Sequence, residues 1–376
     1  MALRILFLVR ELATGTLTYT ENLVRALIET GVEVEMAYTG TKPQGMPLEP
    51  ISLDRAIPSQ LDSRVTTQLF RPLIALLAMK GLVADFRPHA ILTQGLDENG
   101  FIASFASRLF RRPAISFVHD LTLEELLLKN PKFPLLLYAV SLFRQRISVK
   151  RLSGVLVSSN FMRDAILHMF GVHATVTRLG VRRELLGLKK AMPAEFPFQM
   201  IFVGNLLRKK RPEIPVEVLA SLEGLNLRLV IVGDGPERES LLRLCERLKV
   251  ADRVDFRGRL PAEELSGEFR SSHVCMVPSI WEGFGLAALE AMSCGVPVIA
   301  SDSGGLSELV ENGKNGFLVP INAGNMWAEY VRELYADRGL LRQLSEESFE
   351  CAKSYSWKLT ATQTLDAIML RGQPSV

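Results

Sequence analysis

Two glutamates, Glu282 and Glu290, stand at either end of a short segment that combines a bend with the start of a helix. The segment reads EGFGLAALE, in which Gly283 and Gly285 permit a tight bend and the residues from Leu286 onward favour a helix. Because the first N–H groups of a helix have no intrahelical acceptor, this bend is typical of an anion site for a phosphate or diphosphate. Each carboxylate accepts two hydroxyl hydrogen bonds at once, which a ribose or hexose diol offers.

The same two acids have a simpler explanation. Under this alternative, Glu282 is a solvated loop residue and Glu290 lies on the surface of a helix, so their spacing carries no function. Three neighbouring segments favour the binding site, and with them the whole set fits a nucleotide-sugar.

A basic run follows the first strand of the second half. In VGNLLRKKRPE, which starts at Val203, the residues Arg208, Lys209, Lys210 and Arg211 are consecutive. Such a run is usually a solvated surface, and at least two of its four side chains must be solvated. Its place after a strand still lets one or two cations neutralise a diphosphate leaving group.

Two further segments follow strands of the same half. Residues 301–305 (SDSGG) come between a strand and a helix predicted near Leu306, so a second set of helix-start amides is expected there, unless the segment is a plain glycine-rich connector. Arg257, Gly258 and Arg259 end another strand, where backbone groups could meet the edge of a base.

Short apolar runs rich in β-branched residues alternate with longer amphipathic segments along the chain, which indicates mainly parallel sheets with helices on both faces. The runs are ILFLV from Ile5, VEVEMA from Val32, AILT from Ala90, AISFV from Ala114, GVLVSS from Gly154 and TVTRLG from Thr175 in the first half, and MIFVG from Met200, LRLVIVG from Leu227, VDFRG from Val254, VCMVPS from Val274, PVIAS from Pro297 and GFLVP from Gly316 in the second.

This rhythm predicts an α/β protein of two Rossmann-like, doubly wound domains. We expect a first domain over residues 1–185, a linker with two prolines over 186–198 and a second domain over 199–355. A helix over 356–376 is expected to pack back on the first domain. Ligands bind outside the carboxyl ends of the strands in such sheets, so a cleft between the two domains is the expected site.

Composition excludes several classes of protein. The 376 residues are 48% hydrophobic and 23% charged, which is typical of a globular protein. The net charge of +3 gives no sign of nucleic-acid binding. The four cysteines are scattered without a CxxC pair, so neither a zinc site nor a disulfide framework is predicted, and a reducing cytoplasm is expected. The longest apolar runs fall short of the ~18 residues that cross a bilayer.

The second half resembles the nucleotide-sugar half of the family 4 retaining glycosyltransferases, which have the GT-B fold. The resemblance rests on WEGFGLAALEAMSCGVPVIASDSGGLSELVENGKNGFLVP from Trp281, LVIVGDGPERESL from Leu229 and VGNLLRKKRPE from Val203, in that family's order. It extends over the entire second half, so 199–355 would bind the nucleotide-sugar and 1–185 would lie on the acceptor side.

The resemblance implies a role for each residue of the bend. Glu282 would contact hydroxyls of the transferred sugar close to the reacting carbon, and Glu290 would hold the ribose. The amides around Phe284, Gly285 and Leu286 would bind sugar hydroxyls and phosphate.

The resemblance also implies that basic residues bind the diphosphate and the base of the donor. Lys210 would bind the diphosphate, and the backbone of Arg257 and its neighbours would contact the base. The family usually has an arginine directly after the glycine of the VG block, where this chain has Asn205. Arg208 or Lys209 would then have to supply the missing contact.

Two residues of the first half match the family. Gly15 is the one match to a glycine-rich turn that the family places after its first strand, ahead of a helix that we predict over Leu17–Thr30, and it would approach the sugar phosphate closely. His119 ends a strand in SFVHDL. A single histidine is more often structural than catalytic, but the HD context of the family implies contact with the transferred sugar near the reacting bond.

The implied activity is transfer of a hexose, with retention, from a UDP-sugar or GDP-sugar donor to a sugar, lipid-linked or small-molecule acceptor in polysaccharide or glycolipid biosynthesis. The sequence contains no DxD motif, so neither a metal nor a cofactor is expected, and helix-start amides with Lys210 would stabilise the leaving diphosphate. Residues 133–151 mix bulky apolar and basic side chains, which fits either peripheral contact with the inner face of an anionic membrane or a core helix with a basic end.

Two other functions remain open at this point. One is a nucleotide-sugar 2-epimerase of the same architecture, which acts on the donor without an acceptor. The other is a non-catalytic subunit that binds nucleotide-sugar, an alternative that the absent glycine pair and Asn205 keep open.

Overall fold

The computed structural model describes residues 2–10, 14–39, 46–53, 64–120, 135–185 and 197–372, with backbone only at 10, 14–15, 64–71, 135–138 and 371–372. The chain forms two compact units. The first comprises Met1–Gly180 together with Trp357–Val376, and the second comprises Val181–Ser356.

The first unit is built on a sheet of seven strands, whose neighbouring strands all run parallel. The strands are β1 (Arg4–Arg10), β2 (Glu33–Thr39), β3 (Ile51–Ser52), β4 (Ala90–Gln94), β5 (Ala114–Val118), β6 (Gly154–Val157) and β7 (Thr175–Val176). The helices between them are α1 (Thr14–Glu29), α2 (Arg64–Phe86), α3 (Glu98–Phe110), α4 (Leu135–Arg151) and α5 (Asn160–Phe170).

The second unit is built on a parallel sheet of six strands. Its strands are β8 (Phe198–Val203), β9 (Leu227–Val232), β10 (Val254–Gly258), β11 (Val274–Val277), β12 (Val298–Ser301) and β13 (Gly316–Val319). Its helices are α6 (Glu213–Ser221), α7 (Arg238–Arg247), α8 (Ala262–Ser271), α9 (Leu286–Ser293), α10 (Leu306–Leu309), α11 (Gly324–Ala336) and α12 (Arg338–Ala352).

The central strands can be buried on both sides because their side chains are apolar on both faces. Every residue of β4, β5, β6, β11 and β12 is buried, as parallel strands covered by helices on both sides must be. The prediction of twelve strands in two parallel α/β sheets is therefore confirmed. Only β3 was missed, because its two residues are too few to give a pattern.

Strand order reverses once in each sheet. The first sheet runs β3-β2-β1-β4-β5-β6-β7 and the second runs β10-β9-β8-β11-β12-β13. In each sheet, the first three strands in chain order extend from the centre to one edge. The next strand then pairs with the other side of the first, and the later strands continue to the opposite edge. Such reversal points, β1 beside β4 and β8 beside β11, open a crevice outside the carboxyl ends of the strands, where ligands of open α/β sheets bind.

The first stretch of the first unit ends at Gly180, five residues before the predicted end of the first domain at residue 185. Val181 donates its backbone N–H to the carbonyl of Tyr355 at 3.4 Å, and the short 3₁₀ helix Arg183–Leu185 packs against α8, so 181–185 belong to the second unit. Most of the predicted linker lies outside the described residues, and the last of its residues opens β8.

The first helix begins earlier than the sequence indicated. It starts at Thr14 rather than Leu17, so Gly15, predicted to form a turn, already lies in the first helical turn. Threonine and glycine are tolerated at a helix start, which explains the extension. Among the described residues, no helix is long and apolar enough to cross a membrane. The membrane contact of 133–151 stays a prediction, since 133 and 134 lie outside the described residues.

The last helix of the chain, α13 (Trp357–Gly372), belongs to the first unit and packs against α1. Trp357 is buried at its first position, and its ring meets that of Tyr19 edge-on with 5.6 Å between centroids. A buried aromatic pair of this kind contributes through its area and its ring geometry.

We predict that Trp357→Ala lowers the free energy of unfolding by about 3 kcal/mol, because it leaves a large cavity between α13 and α1. Chemical denaturation of the full chain, followed by circular dichroism, measures the effect. Met369→Ala on the same helix is the control, since that side chain is 57% exposed and its loss should change stability by less than about 0.5 kcal/mol. Equal effects of the two changes would contradict the packing of α13.

Candidate functional site

Three loops meet at the carboxyl edge of the second sheet, after the adjacent strands β8, β11 and β12, and backbone hydrogen bonds join them. The carbonyl of Lys209 accepts the N–H of Ile280 at 2.8 Å, and the carbonyl of Ile280 accepts the hydroxyl of Ser303 at 2.6 Å. The carbonyl of Glu282 accepts the N–H of Gly305 at 2.8 Å. The basic run, the bend and the SDSGG segment thus form one connected surface.

Two glycines make the close approach of the last two loops possible. A Cβ on Gly305 would lie 2.5 Å from the carbonyl oxygen of Gly283 and 2.6 Å from Cα of Phe284. Gly285 has φ of +103°, a conformation that side chains disfavour, and a Cβ there would lie 2.6 Å from a methyl of Leu306. The bend therefore depends on glycine for conformation at one position and for space at the other.

The bend ends in the start of α9, as the sequence predicts. Gly285 is the residue before Leu286, and the first N–H groups of the helix have no intrahelical acceptor. Phe284 turns its ring into the unit, where it is buried and packs 5.8 Å from the ring of Tyr355. Its backbone alone is left for a ligand, and the role that the resemblance assigned to this position stays a prediction.

Lys210 and Glu282 are joined by an ion pair. Lys210 ends the 3₁₀ helix Arg208–Lys210 after β8, and its Nζ donates to Oε2 of Glu282. Both side chains are partly exposed, 22% and 17% respectively. The pair leaves two ammonium N–H groups and most of the carboxylate lone pairs available, so both groups can still bind a ligand.

The side chains of Arg208 and Arg211 make contacts outside the Lys210–Glu282 pair. Arg208 is 84% exposed and lies 3.5 Å from a carboxylate oxygen of Glu237. Arg211 donates to the carbonyl of Ile321 at 3.1 Å. Asn205 is half-buried, and its carbonyl accepts the N–H of Leu207 at 2.8 Å.

The end of β10, where the sequence predicts a contact with a nucleotide base, has an irregular strand register. The register between β10 and β9 shifts between Phe256 and Gly258, and the carbonyl of Gly258 accepts the N–H of Gly233 at 2.7 Å. The side chain of Arg257 pairs with Glu268 at 3.0 Å. Only the backbone at this position is left for the role that the resemblance implied.

Glu290 is not a surface residue of its helix, so the simpler explanation of this acid is wrong. Its side chain is 5% exposed, and Arg182 binds it through two hydrogen bonds, Nε to Oε1 at 2.5 Å and Nη2 to Oε2 at 3.0 Å. Burial, together with the charge of Glu290, raises the pKa of the Cys275 thiol on β11.

Arg182 was not predicted as a site residue, and it lies near the end of the predicted first domain, residues 1–185. One signal did exist: Glu290 lies in the apolar run LAALEAM, and a carboxylate in a buried helix requires a cation. The sequence does not say which cation, since the partner lies 108 residues away.

Most of the helix-start amides expected around residues 301–305 donate hydrogen bonds within the protein. The helix α10 that follows has only four residues. The N–H of Gly305 donates to Glu282, and that of Leu306 donates to the carbonyl of Ser303 at 3.3 Å. The first of these bonds joins this loop to the bend, and the second lies within the loop itself.

His119 directly follows β5 in the first unit and stands against aromatic rings. Its ring lies 4.4 Å from that of Tyr19, edge-on, and 4.5 Å from that of Phe117. Its Nε2 is buried and has no hydrogen-bond partner among the described residues. Burial lowers the pKa of His119 from 6.5 to about 3, so the ring is neutral at physiological pH.

Within the part of the chain that the structure describes, no group of three or more His, Cys, Asp or Glu side chains is arranged to bind a metal ion.

Comparison with protein-family models assigns both halves of the chain. Residues 189–350 match the family described as glycosyl transferases group 1, and residues 14–182 match the glycosyl transferase 4-like domain. The chain belongs to the family 4 glycosyltransferases, with the GT-B fold.

Curated relatives match part of the chain. The D-inositol 3-phosphate glycosyltransferase of Paenarthrobacter aurescens (strain TC1) is 33% identical over 203 residues, which are 52% of this chain and 49% of the relative. The protein of the same name from Streptomyces bingchenggensis (strain BCW-1) is 37% identical over 180 residues, 44% of this chain and 39% of the relative. The chain spans about half or less of the length of these relatives.

Solved structures match nearly the whole chain. Sucrose-phosphate synthase from Thermosynechococcus elongatus has a TM-score of 0.80 at 23% identity, covering 97% of this chain and 98% of its own. Anabaena Alr3699/HepE in complex with UDP has a TM-score of 0.76 at 19% identity, covering 98% and 100%. At these identities the likeness shows the fold.

We predict that Gly305→Ala destabilises the second unit by about 1–3 kcal/mol, because the new methyl forces the bend away from its contact. Gly267→Ala, inside α8 with nothing within 4 Å of its Cβ, is the matched control and should be neutral or stabilise by up to about 1 kcal/mol. Thermal unfolding measures both. Similar shifts for the two variants would show that the approach of the loops has no importance.

We predict that His119 makes the first unit sensitive to acid. The folded chain keeps the ring neutral to about pH 3, whereas the unfolded chain protonates it near pH 6.5. Its stabilising contribution is therefore complete above pH 6.5 and lost as the pH falls towards 3. His119→Phe keeps an aromatic ring without a titrating group. It should remove up to about 4 kcal/mol of the loss in free energy of unfolding that occurs as the pH falls.

Urea denaturation between pH 7 and pH 4 measures the difference between the native chain and His119→Phe. The difference should grow as the pH falls. A constant difference across this range would show that the folded chain does not hold His119 neutral.

Proposed function

We propose that the protein transfers a hexose from a nucleoside diphosphate sugar to a hydroxyl group of an acceptor, with retention at the anomeric carbon and without a metal ion. One observation supports this most directly. The ion pair of Lys210 and Glu282 stands beside the start of α9, and the same helix carries the buried carboxylate of Glu290.

The spacing of these groups fits the parts of such a donor. Glu290 is the fifth residue of α9, and at ~1.5 Å of rise per residue it lies about 6 Å along the axis from the helix start. A diphosphate at the first amides would then place a ribose towards Glu290 and a hexose towards Glu282. The backbone at Arg257 is the proposed contact of the base.

The leaving diphosphate needs positive charge that is in place before the reaction. The first amides of α9 carry the positive end of the helix dipole, and Lys210 keeps two N–H groups beyond the one that Glu282 takes. Charges fixed in this way stabilise a developing anion without reorganisation, which is the largest contribution in many enzymes. The resemblance would assign the contact of the arginine that Asn205 replaces to Arg208 or Lys209, but Arg208 lies beside Glu237, so Lys210 is the cation that we propose for the diphosphate.

The chemical step that we propose is attack from the same face as the leaving group. The acceptor oxygen bonds to the anomeric carbon as the bond from that carbon to the phosphate oxygen breaks, and the phosphate oxygen takes the acceptor's proton. Glu282 would bind hydroxyls of the sugar and stabilise its positive charge. His119 of the first unit would bind a sugar hydroxyl through Nε2, which is neutral and buried. Gly15 is the proposed close approach to the sugar phosphate.

Relatives guide the choice of substrates to test. Anabaena Alr3699/HepE has been solved in complex with UDP-glucose, and the curated relatives are D-inositol 3-phosphate glycosyltransferases. We therefore propose UDP-hexoses as the first donors, with GDP- and ADP-sugars beside them. Acceptors begin with D-inositol 3-phosphate and extend to other sugars and lipid-linked sugars.

Incubation of the protein with a nucleotide-sugar alone and then with acceptors separates the three functions. Glycosyl transfer gives a new glycoside and free nucleoside diphosphate. A 2-epimerase converts the donor with no acceptor present. A binding subunit gives a thermal shift with UDP or GDP but neither hydrolysis nor transfer.

We predict that Glu290→Gln raises KM for the donor by about tenfold with a smaller change in kcat, because it removes a charged acceptor of the ribose hydroxyls. His119→Ala should mainly lower kcat, because it loses a contact near the reacting bond. Steady-state kinetics with the best donor separate the two effects.

Glu329→Gln serves as the matched control, since this glutamate is exposed on α11 and should leave both constants unchanged. Equal and small effects of Glu290→Gln and His119→Ala would contradict the division of roles.

A further inference from the structure

The contact between Arg182 and Glu290 is a bidentate, largely buried ion pair, unlike a single exposed ion pair at the surface. Two hydrogen bonds join the guanidinium to both carboxylate oxygens, at 2.5 and 3.0 Å, and both residues belong to the second unit. We propose that Arg182 competes with the ribose of the donor for Glu290 and so sets the affinity for the nucleotide. This inference rests on the proposed role of Glu290 in holding the ribose.

The geometry of the pair makes the competition direct. An arginine that donates two parallel N–H bonds occupies the open end of a carboxylate, one lone pair on each oxygen. A ribose 2′,3′-diol would donate its two O–H groups to the same end, since its neighbouring hydroxyls are also parallel and close. The remaining lone pairs point away from each other, so one diol cannot reach both of them. The guanidinium and the diol therefore exclude each other.

Burial explains why the unliganded chain needs this contact. The side chain of Glu290 is only 5% exposed, and an ionised carboxylate at that depth without a partner is strongly destabilising. Arg182 satisfies both oxygens, as the diol would. The guanidinium thus takes the place of the ribose in the unliganded chain.

Exposure shows which partner moves when the nucleotide binds. Arg182 is 21% exposed and follows the end of β7 by six residues, next to the short 3₁₀ helix Arg183–Leu185. Glu290 is fixed on a buried helix, with neighbours on α9 that are also buried. Since Arg182 reaches solvent, its guanidinium can leave for water while the carboxylate stays in place.

The competition has a consequence for ligand affinity. Every ribonucleotide that uses Glu290 must first displace Arg182, so part of its binding energy is lost. A nucleotide that lacks the diol gains nothing at Glu290 and leaves Arg182 where it is. Removal of Arg182 should therefore strengthen binding of the ribose form and leave the form without hydroxyls unaffected.

The test compares two ligands on the full chain. A thermal-shift screen of UDP, GDP and ADP selects the nucleotide that binds best, and calorimetry at pH 8 then measures its Kd and that of its 2′,3′-dideoxy form. We expect the ratio of the dideoxy Kd to the ribose Kd to rise by about tenfold or more in Arg182→Gln, because the charged competitor is gone. Arg183→Gln, the exposed neighbour with the same change of charge, should keep the native ratio.

The outcomes separate this inference from the proposed function. If the ratio falls or stays unchanged in Arg182→Gln, Arg182 orients Glu290 for the ribose and does not compete with it. If the native ratio is already close to one and Glu290→Gln leaves it there, Glu290 does not hold the ribose, and both proposals are wrong at that point. Should Arg182→Gln fail to fold, Arg182→Lys keeps the charge without the fork and should raise the ratio to an intermediate value.

Discussion

The reversal of strand order between β8 and β11 is the constraint on which the candidate site depends. It places the loops after these neighbouring strands on either side of one crevice, and β12 adds a third loop beside them. Hydrogen bonds between loop backbones then fix their spacing, so that Lys210 meets Glu282 although 72 residues separate them. Glycine at position 305 is what allows the loops to approach this closely.

The two glutamates of the site differ in burial and in ion-pair partner, and this difference determines how each could bind a ligand. Glu282 is partly exposed and paired with a lysine, a compact charge that leaves both groups with unused hydrogen-bonding capacity. Glu290 is buried and paired with an arginine whose planar fork uses both oxygens. In the roles that we propose, the first would bind a ligand without giving up its partner, whereas the second would exchange its partner for one.

The sequence predicts the fold well because the signals of a parallel sheet are local. Runs such as AISFV and VCMVPS are apolar at every position, and the glycines of EGFGL identify a bend before a helix within a few residues. Ion pairs are not local in this sense. The apolar setting of Glu290 shows that it needs a cation, but the choice of Arg182 depends on a chain path between β7 and β8 that no pattern records. The same limit applies to residues 301–305, which read as a helix start and in fact supply hydrogen bonds between loops.

Charge balance explains how such a site can hold carboxylates close to a diphosphate. Two acids beside an anion would repel it, but Lys210 neutralises Glu282 within the same unit, and Arg182 neutralises Glu290 until a ligand takes its place. In the proposed function, the diphosphate is then attracted by the remaining N–H groups of Lys210 and by the first amides of α9 with their helix dipole, which no carboxylate cancels. Such amides are directional and fixed by the backbone, so they recognise a phosphate by position more than by net charge. Asn205 in place of an arginine is compatible with this arrangement, because the fixed amides carry the part of the binding that depends most on geometry.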